Sequence, residues 1–163
     1  MIEILTRFMI GSLCLGFAAY TDLKTRTAPN IIWEILLINA VGLTVIGIWH
    51  YNEPLWTILV AVILVILFYG LFQFNLINGG ADTKALMCLA VLIPLFVIDV
   101  FLIASVIAVV SSVFMVHKGY TLRHMLTEYR YPFLAALFPG FVITFFLTEF
   151  WSVPLFQRVM EMI

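Results

Sequence analysis

The sequence predicts an all-α protein that crosses a membrane with six helices. Of the 163 residues, 64% are hydrophobic and only 10% are charged, a balance typical of polytopic membrane proteins and not of soluble domains. The apolar residues form runs near the length, about 20 residues, that a helix needs to cross a bilayer. We therefore expect a single membrane-embedded domain over residues 1–163.

Six apolar segments follow one another along the chain. The stretch over residues 85–116 would be about 48 Å long as one helix, so we expect it to fold back near Pro94 and Asp99. Glu3 and Arg7 leave no net positive charge in the N-terminal region, so we interpret the first segment as a retained helix and not as a cleaved signal peptide. The predicted helices span residues 4–20, 31–49, 55–74, 83–97, 100–116 and 132–151.

The basic residues predict the orientation, because Lys and Arg concentrate in cytoplasmic loops near helix ends. With six helices, Arg7 and Arg158 lie on one side of the membrane. The other side holds Lys24, Arg26, Lys84, Lys118, Arg123 and Arg130. We therefore expect a multi-pass protein of the cytoplasmic membrane, with both termini outside and cytoplasmic loops over residues 21–30, 75–82 and 117–131.

Composition argues against nucleic-acid and metal partners. The net charge is -1, whereas a nucleic-acid-binding surface needs a clustered excess of Lys and Arg. Cys14 and Cys88 stand alone in apolar segments, with no CxxC pair and no histidine at zinc-ligand spacing. We expect no metal and no cofactor, and we interpret both cysteines as packing residues.

Two aspartates are the candidate catalytic residues. Asp22 follows the cytoplasmic end of the first predicted helix, and Asp82 opens the fourth, so both are expected at the same depth. If these two helices pack together, the carboxyls can approach within reach of one water molecule. One ionised carboxylate would act as general base on that water, while the other, kept protonated by the nearby like charge, would donate to a peptide carbonyl.

Each aspartate also has a purely structural interpretation. Asp82 is well placed as the N-cap of the fourth helix, where a carboxylate meets free backbone N–H groups. Asp22 is equally consistent with a solvated loop residue whose charge is offset by Lys24 and Arg26. A different class of function is the alternative: a small ion-coupled transporter or channel subunit that binds a cation with the two carboxylates, for which acidic residues near the membrane midplane are expected.

Several neighbours of the aspartates are candidate supporting residues. Gly79 and Gly80 would let the backbone turn tightly before Asp82 and approach an extended substrate segment closely. Lys84 would tune the carboxyl pair, hold the loop, or extend to the membrane interface as a snorkelling lysine. Asn30 follows a proline and is predicted to cap the second helix.

Three strings of the sequence resemble those of one enzyme family. They are Asp22-Leu23-Lys24-Thr25-Arg26-Thr27-Ala28-Pro29-Asn30, then Gly79-Gly80-Ala81-Asp82-Thr83-Lys84, and finally Tyr131-Pro132-Phe133-Leu134. The first resembles the first-aspartate region of type IV prepilin peptidases and archaeal preflagellin peptidases, which are intramembrane aspartyl proteases. The second resembles their GxGD motif with a lysine two positions on, and the third their final segment.

The resemblance implies an intramembrane aspartyl endopeptidase with Asp22 and Asp82 as its catalytic pair. Its partners would be the lipid bilayer and membrane-anchored prepilin or prearchaellin (preflagellin) precursors, from which it removes a short basic leader at the cytoplasmic boundary. Larger bacterial members add paired CxxC motifs and an N-methyltransferase activity. This chain has neither CxxC pair, so the resemblance implies a short, peptidase-only form. The amino-acid sequence from Gly80 to Lys84 is more similar to archaeal members.

Overall fold

The computed structural model is entirely helical over the residues it describes, which are 2–25, 27–51, 53–74, 80–117 and 133–151. The described segments contain α1 (Ile2–Thr25), α2 (Asn30–Tyr51), α3 (Trp56–Gln73), α4 (Gly80–Leu92), α5 (Val97–His117) and α6 (Phe133–Trp151). These correspond one to one with the six predicted helices. The all-α class is confirmed, and the boundaries differ most at the end of α1 and at the end of α4, by five residues each.

The predicted fold-back within residues 85–116 is present. The chain turns over residues 93–96, where Phe96 N and Val97 N both donate to the Ile93 carbonyl, at 3.0 and 3.1 Å. Pro94 lies in this turn and has no N–H to continue the hydrogen bonding of α4. The turn comes earlier than predicted, because α4 ends at Leu92 and Asp99 already lies in the first turn of α5.

The short helix α4 lies at the centre of the bundle. It contacts each of the other five helices of the described structure. More than half of its side chains are buried: Thr83, Ala85, Leu86, Cys88, Leu89, Ala90 and Leu92. A helix that is apolar on all sides has no solvent face and is stable only when it is surrounded. With 13 residues, α4 is about 20 Å long, shorter than the hydrocarbon core of a bilayer.

The other five helices of the described structure all expose large apolar side chains. Leu13 and Ile38, for example, are each 72% exposed, as expected of side chains that face lipid. The helices long and apolar enough to cross a membrane are Ile4–Thr25, Asn30–His50, Trp56–Gln73 and Val97–Phe114. The structure and composition are those of a multi-pass membrane protein, and crossing by α4 and α6 stays a prediction.

Close packing fixes α6 against its two neighbours. A Cβ atom on Gly140 would lie 3.0 Å from the backbone nitrogen of Ala104, so α5 and α6 approach nearly backbone to backbone. On the side of α1, Gly11 faces the Phe141 ring, which lies 4.8 Å from the ring of Phe8. These contacts determine where the first turn of α6 lies relative to α1 and α4.

Candidate active site

Asp22 lies in the last turn of α1, which extends to Thr25. The interpretation of Asp22 as a loop residue is therefore wrong, and its side chain is half-buried. The helix continues past its predicted end, and threonine hydroxyls bond to its carbonyls there: Thr21 Oγ1 donates to the Ala18 carbonyl at 2.9 Å and Thr25 Oγ1 to the Thr21 carbonyl at 2.8 Å. Such local bonds accompany a helical backbone because they reach the carbonyl one turn back.

Asp82 lies in the first turn of α4, which already begins at Gly80. The N-cap interpretation placed the start of the helix too late, because the carboxylate belongs to the helix and does not precede it. The backbone N–H of Leu134 donates a hydrogen bond to Asp82. Leu134 is the second residue of α6, so the half-buried carboxylate lies at the positive ends of two helices.

The two aspartates lie near enough for their charges to interact, and α1 contacts α4. Asp82 lies outside the four candidate spans. Burial, together with the Asp22 carboxylate, raises the pKa of Asp82 to about 6, while the hydrogen bond from Leu134 acts in the opposite direction. At mildly acidic pH, Asp82 is thus suited to hold a proton beside a second carboxyl group.

Lys84 joins the first turn of α4 to the start of α2. Its Nζ donates a 2.8 Å hydrogen bond to Oδ1 of Asn30, the first residue of α2. This contact links α4 to α2, which is not one of the roles predicted for Lys84; most of the loop that Lys84 was predicted to hold, residues 75–79, lies outside the described residues. The Asn30 side chain accepts from Lys84, which is a different contact from the helix cap that the sequence predicted.

The remaining predicted residues are only partly within the described structure. Gly79 and Arg26 lie outside the described residues, as do Tyr131 and Pro132 of the third string. Gly80 begins α4, so the tight turn predicted for it is wrong at this position. Apart from neighbouring backbone of its own helix, no described atom lies within 4 Å of the point where a Gly80 Cβ would be.

Two hydrogen-bond donors to α4 were missed by the sequence analysis. The first is the Leu134 backbone N–H, which has no side-chain signature in a sequence. The second is Arg7, which is only 5% exposed and donates to the Leu92 carbonyl at the far end of α4. An arginine inside an apolar run is a signal of function in membrane proteins, whereas the charge distribution alone predicts only that Arg7 lies on the outer side.

The cysteines pack as predicted. Cys88 is buried, and its Sγ contacts the Trp33 carbonyl at 3.6 Å, while Cys14 is half-buried. Within the described segments, no group of three or more His, Cys, Asp or Glu side chains is arranged to hold a metal ion.

A family model decides the class of protein. The model of the type IV leader peptidase family matches residues 9–113, a segment that begins in α1, ends in α5 and contains both Asp22 and Asp82. The chain belongs to the type IV leader peptidase family. No curated protein and no solved structure matches it. As a type IV leader peptidase, the protein belongs among enzymes that process membrane-associated precursors. The match confirms the family resemblance and contains the first two strings, whereas the third string lies beyond the matched segment.

Proposed function

We propose that this type IV leader peptidase is an intramembrane aspartyl endopeptidase that cuts the leader from prepilin or prearchaellin precursors with Asp22 and Asp82. One observation carries the proposal: the two carboxyl groups interact electrostatically where the end of α1 meets the start of α4. A proton shared between adjacent carboxyls supplies a general base and a general acid at one position.

In the proposed reaction, ionised Asp22 accepts a proton from a water molecule, and the water oxygen attacks the carbonyl carbon of the scissile peptide bond. Protonated Asp82 donates its proton to the carbonyl oxygen, which gives a neutral tetrahedral diol. In the collapse of the diol, Asp82 takes back one hydroxyl proton, the C–N bond breaks, and Asp22 gives the proton it took from water to the leaving nitrogen, which restores both aspartates. The Leu134 N–H would hold the Asp82 carboxyl in place during these transfers.

We place this site at the cytoplasmic boundary of the membrane, with all six helices crossing and both termini outside. The basic residues near the ends of α1 and α4 support that orientation, because Lys24 and Lys84 flank the site. At this boundary the basic leader of a precursor stays in water while its apolar helix rests in lipid. The scissile bond between them thus arrives at the depth of the two aspartates.

The cation transporter has less support. Both carboxyls lie in terminal turns of their helices and not near a helix centre, whereas an ion path places acidic groups near the membrane midplane. The family to which the chain belongs consists of peptidases. Prepilin and prearchaellin precursors both offer a basic leader ahead of an apolar helix, and we propose this shared feature as the substrate class.

The test is leader release by the purified protein in lipid vesicles, with one prepilin and one prearchaellin precursor as substrates. We expect one cut just before the apolar helix, detected by mass spectrometry of both products, and we expect release to continue in a metal chelator. The control variant Glu34→Gln removes an exposed carboxylate from the first part of α2 and should release the leader normally. If the protein cuts neither the prepilin nor the prearchaellin precursor, the proposal is overturned.

A further inference from the structure

The buried arginine of α1 contacts the end of α4 that is remote from the aspartates. Arg7 Nη1 donates to the Leu92 carbonyl at 2.9 Å, and Nη2 donates to the Leu43 carbonyl at 3.2 Å and to Glu53 Oε2 at 2.8 Å. One guanidinium thus bonds to the last residue of α4, to α2 and to the segment after α2. We call the two carbonyl contacts, those with Leu92 and Leu43, the Arg7 clamp.

The end of α4 needs such partners because of where it lies. The last carbonyls of a helix have no partner within the helix, and inside a membrane protein water does not readily supply one. Thr44 Oγ1 donates to the Val91 carbonyl at 3.2 Å, and Arg7 donates to the carbonyl of Leu92. A cation at this position also faces the negative end of the α4 dipole. Neighbouring helices thus complete the hydrogen bonding of α4.

The clamp joins the same two helices that carry the aspartates. Helix α1 holds Arg7 near one end and Asp22 near the other, and α4 holds Leu92 at one end and Asp82 near the other. At about 1.5 Å per residue, Arg7 lies about 22 Å along α1 from Asp22, and Leu92 lies about 15 Å along α4 from Asp82. Measured from the depth of the two aspartates, Arg7 thus lies about 7 Å farther along the bundle than Leu92. A long side chain such as arginine can bridge this distance.

We propose that Arg7 is a positioning residue, which fixes the axial register between α1 and α4 and so brings Asp82 to the depth of Asp22. This inference rests on the proposed function only for its effect on catalysis, since the register itself is a property of the fold. Lysine is a poor replacement, because it lacks the planar fork that reaches several acceptors at once.

The test follows the depth of α4 directly, in a background in which Cys14 and Cys88 are replaced by alanine. A spin label on a Gly80→Cys variant reports the start of α4, and a label on a Thr27→Cys variant reports the segment after α1. The depth of each label in vesicles is measured from its relative accessibility to oxygen and to a water-soluble nickel complex. Arg7→Gln should change the depth of the label at position 80 and leave that at position 27 unchanged.

Cleavage of precursor provides the second readout. Arg7→Gln should lower kcat by more than about tenfold with KM changed by less than about twofold, because a displaced Asp82 affects the chemical step and not precursor binding. Arg7→Lys should fall between the wild type and Arg7→Gln in both readouts. The matched control is Glu53→Gln, which removes the charge partner of Arg7 and leaves both carbonyl contacts. It should keep the depth of the label and the kcat of the wild type.

The outcomes separate the two proposals. An unchanged label at position 80 in Arg7→Gln, or an equal shift of both labels, would overturn the positioning role. If Arg7→Gln fails to fold because Glu53 loses its partner, two other variants decide by the same criteria. They are Arg7→Lys and the double variant Arg7→Gln/Glu53→Gln, which removes both members of the ion pair between Arg7 and Glu53. A wild-type protein that cuts no precursor would contradict the proposed function, and the label depths would still test the clamp.

Discussion

The Lys84 ammonium donates a 2.8 Å hydrogen bond to the side-chain oxygen of Asn30. Because Lys84 lies two residues beyond Asp82, this contact restrains the turn of α4 that carries the carboxylate. The contact is exposed, so it competes with water and contributes only modestly to the free energy of the site.

Removing this hydrogen bond should slow cleavage a little. We expect Lys84→Met and Asn30→Ala each to lower kcat/KM by roughly three- to tenfold, with little further loss in the double variant, since both remove the same contact. Leader-release rates of the four proteins, measured side by side, give the coupling between the residues. Fully additive losses would show that the two side chains act independently.

The rate of cleavage should depend on pH through Asp82. Burial and the Asp22 charge raise the pKa of Asp82 to about 6, so its protonated form persists at mildly acidic pH and is lost as the pH rises through that value. The proposed reaction needs this proton, so kcat/KM should fall on the alkaline side with a midpoint near 6 and again in acid, when both carboxyls are protonated. A rate that rises steadily from pH 5 to pH 8 would contradict this assignment.

Replacing Gly140 should destabilise the bundle. A methyl group there would contact the backbone of Ala104 at about 3 Å, so Gly140→Ala must separate α5 from α6. We expect a loss of about 1–3 kcal/mol in the free energy of unfolding, measured by thermal unfolding in detergent. The control is Gly42→Ala on α2, where no described atom lies within 4 Å. The free energy of unfolding of Gly42→Ala should equal that of the wild type or exceed it by up to about 1 kcal/mol, because alanine favours a helix more than glycine does.

The precursor's apolar helix should contribute most of the binding. The outer faces of α1 and α2 expose large apolar side chains such as Leu13 and Ile38, and partitioning of the precursor into the same bilayer brings its scissile bond to the boundary without an extensive binding cleft. Shortening that helix should therefore cost far more turnover than changing residues well upstream in the leader. Equal cleavage of a soluble leader peptide and the membrane-anchored precursor, at the same concentration, would refute this explanation.

Hydropathy was enough to predict the number and order of the helices. Long apolar runs have no alternative in a bilayer, and Pro94 identified the turn between α4 and α5 because it cannot continue the helical hydrogen bonds. The exact first and last residues of each helix were harder to predict from hydropathy. Hydropathy falls at the polar residues after Tyr20, whereas the helix continues to Thr25 through backbone bonds and threonine hydroxyls.

The candidate site could be predicted where side chains carry the signal. Asp22 and Asp82 are predicted from their positions at two helix ends that the distribution of basic residues places on the same side of the membrane. The hydrogen bond from the Leu134 backbone was not predictable, because it depends on how the first turn of α6 packs beside α4. The contact between Arg7 and Leu92 joins residues 85 positions apart, and only the folded bundle brings them together.

The most direct test of the central claim compares Asp22→Asn and Asp82→Asn with the wild type in single-turnover leader release. Each asparagine keeps the size of the side chain but can neither accept the proton of water nor return one, so each variant should lose about 10²- to 10⁴-fold in rate. Glu34→Gln, an exposed change near the same end of the bundle, should stay within about twofold of the wild type. If Asp22→Asn or Asp82→Asn unfolds at the wild-type temperature and retains more than about a tenth of the wild-type rate, the two aspartates are not the catalytic pair.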